Sequence, residues 1–170
     1  IFAERAGPLA LYDVKGPNRW FGNTQAGGLG WALPAALGFQ LADKSRLVAC
    51  IVGDGSYVFA NPIACHQAAE AQDLPLLTII LDNGSYDAVR ISTLDIYPSG
   101  KAAKANHVPM VPFAPNPDYA AIAEAAGCAV FRVEKADELM TVLEKAMEWI
   151  QQHKKQVVLN VKIGMDDGEK

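Results

Sequence analysis

Two short segments bring a carboxylate, an amide and several glycines to places where strands should end. The first is Val52-Gly-Asp-Gly-Ser-Tyr57, reached through an apolar run. Gly53 and Gly55, flanking Asp54, let a backbone approach a ligand closely. A strand that ends there and turns into a helix presents unpaired backbone N–H groups, a ready site for an anion such as phosphate. Open α/β sheets bind their ligands at this carboxyl edge. Asp54 would repel a phosphate unless a hard cation lay between them. Mg²⁺ suits that place, because it takes oxygen ligands, one or two of them from the protein, and completes its octahedron with phosphate and water oxygens.

The second segment, Leu81-Asp-Asn-Gly-Ser-Tyr86, follows another apolar run and offers the further ligands such a cation needs. Asn83 carries a side-chain carbonyl, and the Gly84-Ser85 turn can expose a backbone oxygen. Asp82 is one more carboxylate, although an Asp at a strand end as readily caps its own turn. A third segment, Ala26-Gly-Gly-Leu-Gly-Trp31 with Pro34 beyond, could lie flat against a planar ring. It also suits a glycine-rich helix start with proline in the first turn. Each segment alone is compatible with turn chemistry. Their succession at strand ends is far more specific.

The elements that must hold these segments alternate along the chain. Strands are expected over 47–52, 75–81, 128–133 and 156–163, and helices over 29–42, 61–72, 118–126 and 136–153. The strand runs are short, continuous and apolar, as when both faces of a parallel strand are covered. In the last helix Leu139, Val142, Leu143, Ala146 and Ile150 recur at three- and four-residue spacing and form one stripe. Gly127 is placed to cap the third helix. The fold class is therefore α/β, a three-layer αβα doubly wound, mainly parallel sheet of about six strands. Residues 94–116, with Pro98, Pro109, Pro112 and Pro115, suggest a long connection with little regular structure. No repeat or linker divides residues 1–170, so one domain is expected, with a frayed tail over 166–170.

Composition narrows the function classes. The chain has 170 residues, 51% hydrophobic and 20% charged, a globular balance. Fifteen Lys and Arg against nineteen Asp and Glu give a net charge of −4, which is no footprint for nucleic acid. No apolar run approaches the roughly 20 residues of a membrane span. Cys50, Cys65 and Cys128 form no CxxC pair, and an odd count suits a reducing cytoplasm. The chain opens on Ile1 without a signal-peptide pattern, which suggests an excerpt of a longer polypeptide.

Gly53-Asp-Gly55, 26 intervening residues (56–81) and then Asp82-Asn83 resemble the thiamine-diphosphate-binding motif, written GDG, a spacer, NN. The stretch from Ala26 to Gly38 is similar to the one just upstream in benzoylformate decarboxylase and acetolactate synthase. The likeness covers about Trp20 to Ile163 and corresponds to the C-terminal, diphosphate-binding domain of a three-domain enzyme. The resemblance implies thiamine diphosphate and Mg²⁺ as cofactors. Asp54, the Asn83 side chain and the Ser85 carbonyl would hold the metal, and Gly55 and Ser56 would meet the diphosphate. The Gly27 carbonyl would accept from the aminopyrimidine. Leu29 would be the wedge beneath the bent cofactor, its N–H reaching a pyrimidine nitrogen. Gly28, Gly53 and Tyr86 complete the implied cofactor-binding set. A bent cofactor brings its own amino group to the carbon that must lose a proton, so the wedge supplies orientation. The implied substrate is a 2-oxo acid, decarboxylated or carboligated, with the ring accepting the electrons released.

This sequence departs from the family pattern in places. Asp82 stands where the motif has its first Asn, but the second position supplies the metal ligand. Leu29 is similar to the wedge of benzoylformate decarboxylase, where acetolactate synthases usually have Met. Val89 stands where pyruvate decarboxylases carry a catalytic Glu, whereas the loop from Tyr97 to Lys104 is closer to acetolactate-synthase-like proteins. The family's activating Glu belongs to a pyrimidine-binding domain of the same or a partner subunit, in a homodimer or homotetramer. Nothing here matches it, so no catalytic residue is expected in this chain.

Two other readings of the same residues are a nicotinamide-dinucleotide domain and a non-catalytic flavodoxin-like module. For the first, Val58 occupies the third glycine position of GxGxxG, and the acidic candidates Glu70 and Asp73 fall at a helix. Among the histidines, His66 is expected to be a surface or half-buried helix residue, His107 a loop residue and His153 a solvated helix end. Tyr86 and Arg90 are expected to pack or to shape the pocket.

Overall fold

A computed structural model of the chain describes residues 2–3, 13–22 and 28–164. Its elements are β1 (Phe2–Ala3), β2 (Phe21–Gly22), α1 (Ala32–Ala42), β3 (Val48–Gly53), α2 (Asp54–Phe59) and α3 (Pro62–Ala71). There follow β4 (Leu76–Asp82), α4 (Asp87–Ile96), α5 (Lys101–Ala105), α6 (Tyr119–Ala125), β5 (Ala129–Val133), α7 (Leu139–His153) and β6 (Val157–Lys162). The six strands form one sheet in the order β2-β1-β3-β4-β6-β5. Every pairing is parallel.

The alternating positions of the strands divide the core in two. Val48, Cys50, Val52, Leu76, Ile80 and Val158 meet α1, α3 and α6 on one face. Leu77, Val157, Leu159 and Val161 meet Ala146 and Ile150 of α7 on the other. Three layers result, as the continuous apolar runs require. The stripe on α7 is the expected one, with Leu139, Val142 and Leu143 half-buried beside it. Cover on the α7 side is uneven, however. Along β3, Ala49, Ile51 and Gly53 are half-buried while their alternates are buried, so the described helices fully cover only one face of that strand.

Local chemistry explains the element ends. The Asp118 carboxylate accepts from the Ala121 N–H at the start of α6, an N-cap that satisfies one orphan donor. Gly127 follows α6 at φ +91, as expected of a C-cap. The expectation for 94–116 needs correction: helix covers Asp87–Ile96 and Lys101–Ala105. In α4 only Asp87 is buried, so the helix shows no apolar stripe to read. What fastens its first turn is a polar contact, the Arg90 Nε to Asp87 Oδ1 pair at 2.6 Å.

The topology decides where ligands can approach. From β1 the chain runs to β2 on one side and to β3 on the other, which puts the carboxyl end of β3 at a switch point. The last β3–β4 pair, Gly53 with Leu81, sets residue 54 beside the turn that begins at Asp82.

Candidate functional site

Asp54 is the first residue of α2, delivered by an extended Gly53 (φ −72, ψ 156). Its side chain is 3% exposed. Oδ1 accepts from the Gly55 N–H at 2.8 Å, and Oδ2 accepts from the N–H groups of Gly84 (2.7 Å) and Ser85 (3.3 Å). The carboxylate therefore holds the turn after β4 against the start of α2. Asn83 Oδ1 accepts from the same Ser85 N–H at 3.1 Å. From outside, the segment after α5 secures the turn. The Tyr86 N–H donates to the Val111 carbonyl, the Phe113 N–H donates to the Gly84 carbonyl, and Ser85 bridges Pro112. Asp54, Asn83 and Ser85, chosen from the sequence for their oxygens, thus lie together.

The electrostatics of this corner invite a cation. Burial pushes the Asp54 carboxyl above its ordinary range, while the Gly55 and Gly84 N–H groups pull it down. The charged group acting on it is another carboxylate, Asp82, which pushes the same way. Among the described residues no three His, Cys, Asp or Glu side chains converge as a metal cluster. A hard cation here would rely on one carboxylate, an amide oxygen and a backbone carbonyl. That donor set suits Mg²⁺ better than a transition metal.

The glycine-rich segment meets this corner from the other side. The Gly30 N–H donates to Ser56 Oγ at 2.8 Å. Gly30 has φ +85, and a Cβ there would lie 2.7 Å from the Phe59 carbonyl carbon, so only glycine fits. Gly28 and Leu29 precede it on the surface, Leu29 at 47% exposure. Gly27 lies outside the described residues. At Gly55, a Cβ would stand 2.6 Å from the Tyr86 ring, which meets Phe113 (4.5 Å) and Phe59 (6.1 Å) edge to face. Tyr86 therefore packs across the start of α2, and Gly53, Gly55 and Ser56 complete that corner.

Other expectations change. Asp82 does not cap its own turn. Its carboxylate, 1% exposed, accepts from Asn116 Nδ2 (3.1 Å) and Asn160 Nδ2 (3.2 Å), and pairs with Lys162 Nζ at 2.6 Å. Sequence reasoning passed over Asn160 and Lys162, although polar residues at alternate positions near the end of an apolar strand were a usable signal. His66 is fully buried, not on the surface, because Tyr57 and Gln156 satisfy both its ring nitrogens at 2.9 Å. Glu70 and Asp73 hold Lys155 just before the amino ends of β4 and β6, not at a carboxyl end, and nothing favours the dinucleotide alternative. Cys50, Cys65 and Cys128 are buried and form no disulfide, as small core residues. No described helix is long and apolar enough to cross a membrane.

Comparisons with known proteins point the same way. Residues 6–161 match the family model described as thiamine pyrophosphate enzyme, C-terminal TPP binding domain. The chain is 36% identical over 137 residues to benzoylformate decarboxylase of Pseudomonas aeruginosa, covering 79% of this chain and 24% of that protein. It is 30% identical over 157 residues to acetolactate synthase of Mycobacterium avium, covering 83% of this chain and 24% of that one. Among solved structures it resembles the thiamine diphosphate-dependent 4-hydroxybenzoylformate decarboxylase of Rhodococcus jostii RHA1. There the TM-score is 0.72 at 29% identity, with 88% of this chain and 25% of the other covered. The chain thus spans about a quarter of the length of the curated relatives it matches. By its parallel sheet, its strand-end corner and a family match over most of its length, this chain belongs to the C-terminal, thiamine-pyrophosphate-binding domains of thiamine pyrophosphate enzymes.

Proposed function

We propose that this chain supplies the diphosphate- and Mg²⁺-binding half of the cofactor site in an enzyme that decarboxylates or carboligates a 2-oxo acid. The observation that carries the proposal is the buried Asp54 carboxylate, which grips the 83–85 turn and has another carboxylate as its charged neighbour. Lys162 already pairs Asp82, but no cation among the described residues pairs with Asp54, so a divalent cation would offset its charge and let a diphosphate approach. Asp54, Asn83 Oδ1 and the Ser85 carbonyl would hold Mg²⁺. The backbone N–H groups of Gly55 and Ser56 would meet the diphosphate, with Gly53 giving the close approach and Tyr86 closing one side.

Leu29, exposed beside Gly28 and Gly30, would support the bent cofactor, and the Gly27 carbonyl would accept from its aminopyrimidine. When bound, thiamine diphosphate supplies the ring that accepts the electron pair released as a 2-oxo acid loses its carboxylate. A pyrimidine-binding domain, from the same subunit or a partner in a homodimer or homotetramer, would complete the site and bring the activating Glu. Val89 carries no acid group, which disfavours the pyruvate decarboxylase pattern.

Calorimetric titration of thiamine diphosphate into the whole protein, with and without Mg²⁺, tests the proposal. The unmodified protein should bind only with the metal present. Asp54→Asn should weaken that binding by about tenfold or more, about 1.4 kcal/mol. Binding that ignores both Mg²⁺ and the substitution would overturn the metal assignment.

A further inference from the structure

The end of β6 reaches the candidate metal turn through a single residue, Asp82. Lys162 stands directly opposite Asp82 in the parallel β4–β6 register. Its Nζ lies 2.6 Å from Asp82 Oδ2, and the carboxylate is 1% exposed against 41% for the lysine side chain. The next residue of β6's continuation adds a second hold, because the Ile163 N–H donates to the Asp82 carbonyl at 3.0 Å. Asn160, on the same face two residues earlier, donates to Oδ2 as well. On the far side Asn116 donates to Oδ1 and accepts from the Tyr119 hydroxyl. Asn83 and the Gly84–Ser85 turn follow immediately along the chain.

A buried carboxylate is tolerated only when it is paired and hydrogen-bonded. Asp82 meets that condition through one cation and two amides, and Lys162 is the cation. We propose that Lys162 is a positioning residue: by balancing Asp82 it fixes the backbone from which Asn83 and Ser85 present their oxygens. This inference rests on the Mg²⁺ reading above and extends it to a strand that carries no ligand.

The geometry also says why the dependence belongs to a chain with Asp at 82. Asn160 Oδ1 is a buried side-chain oxygen with no partner among the described residues. With Asn at position 82, a turned-over Asn160 amide could accept from the new Nδ2, while Asn116 still donates to the new Oδ1. Position 82 would then keep both its amide partners without any charge, and Lys162 would have nothing to balance.

The experiment measures apparent Mg²⁺ affinity in the presence of thiamine diphosphate, by calorimetry on the whole protein, for four forms. Lys162→Met is expected to weaken Mg²⁺ by about tenfold, and Lys162→Arg, which keeps the charge, to leave it within about twofold. The double variant Asp82→Asn with Lys162→Met is expected to recover most of the loss. If Lys162→Met is obtained only unfolded, Lys162→Gln carries the same expectation, since it keeps a donor but no charge.

Unchanged or tightened Mg²⁺ binding in Lys162→Met, even with a lowered melting temperature, would overturn the inference and leave the functional proposal standing. So would an equal loss in the Asp82→Asn background. Absence of Mg²⁺-dependent binding in the unmodified protein would overturn the functional proposal, and this inference with it.

Discussion

A methyl group on Gly55 would stand 2.6 Å from two atoms of the Tyr86 ring, closer than any unstrained contact allows. That ring is itself lodged against Phe113 and Phe59, so it has little room to retreat. Gly55→Ala is expected to destabilise the protein by about 1–3 kcal/mol, the usual range for overpacking. Made in a Tyr86→Ala background, the same substitution should cost less than half as much, because the obstructing ring is gone. Urea denaturation of the four forms measures this, and additive losses would show that the strain arises elsewhere. The sequence offered one reason for glycine at 55, the approach of an anion. The neighbouring ring gives a second that sequence could not show, since it depends on where Tyr86 lands. Asp82 is a similar case. Its position one residue before Asn83 was legible, but its partner, 80 residues further on at Lys162, was not.

At the scale of elements, a buried polar relay joins α2, α3 and the start of β6. Gln156 Nε2 donates to the His66 carbonyl, which leaves Oε1 to accept from His66 Nδ1–H. His66 Nε2 then accepts from the Tyr57 hydroxyl, so the imidazole is neutral. Burial holds its pKa below the ordinary 6.5, against a weaker upward pull from Gln156. A depressed histidine stabilises the fold fully above pH 6.5 and loses that contribution as pH falls through the folded-state value. The free-energy gap between the native protein and His66→Gln should therefore shrink below pH 6.5, by up to about 1.4 kcal/mol per pH unit. A gap that stays constant from pH 7.5 to 5 would show that His66 does not titrate with folding.

Strands β3 to β6 and most helices were legible because burial had written continuous runs and a stripe into their sequences, whereas β1 and β2, two residues each, carry no such run. Helix α4 was not. Half of its residues are exposed and only Asp87 is buried, and the Asp87–Arg90 pair that fastens it carries no periodic signal.

For the whole molecule, exposure around the site says how much of a working enzyme is present. Leu29, Phe59 and Val89, on segments adjoining the corner, are 47%, 60% and 53% exposed, apolar surface that a dry reaction pocket would not leave in water. The 170-residue chain expressed alone, with Mg²⁺ and thiamine diphosphate, should release no CO₂ from 2-oxo acids above background. Turnover by that chain, followed by a coupled assay, would refute the composite site. Composition and strand pattern made the fold class readable, and the motifs at the strand ends marked the corner where Asp54, Asn83 and Ser85 meet. Substrate choice left no mark of that kind, because a pocket is a property of surfaces brought together.

The place of β6 in the sheet has a consequence in time. It lies between β4 and β5 but is synthesised after both, so β4 waits for its second neighbour until residue 162 is made. At ribosomal speeds of about 5–20 residues per second, those 80 residues take several seconds or more. Throughout that interval one edge of Leu76–Asp82 shows unpaired N–H and C=O groups, an apolar template for mispairing with other chains. Nascent chains halted just before Val157 should therefore aggregate or recruit chaperones far more than chains released after Ile163.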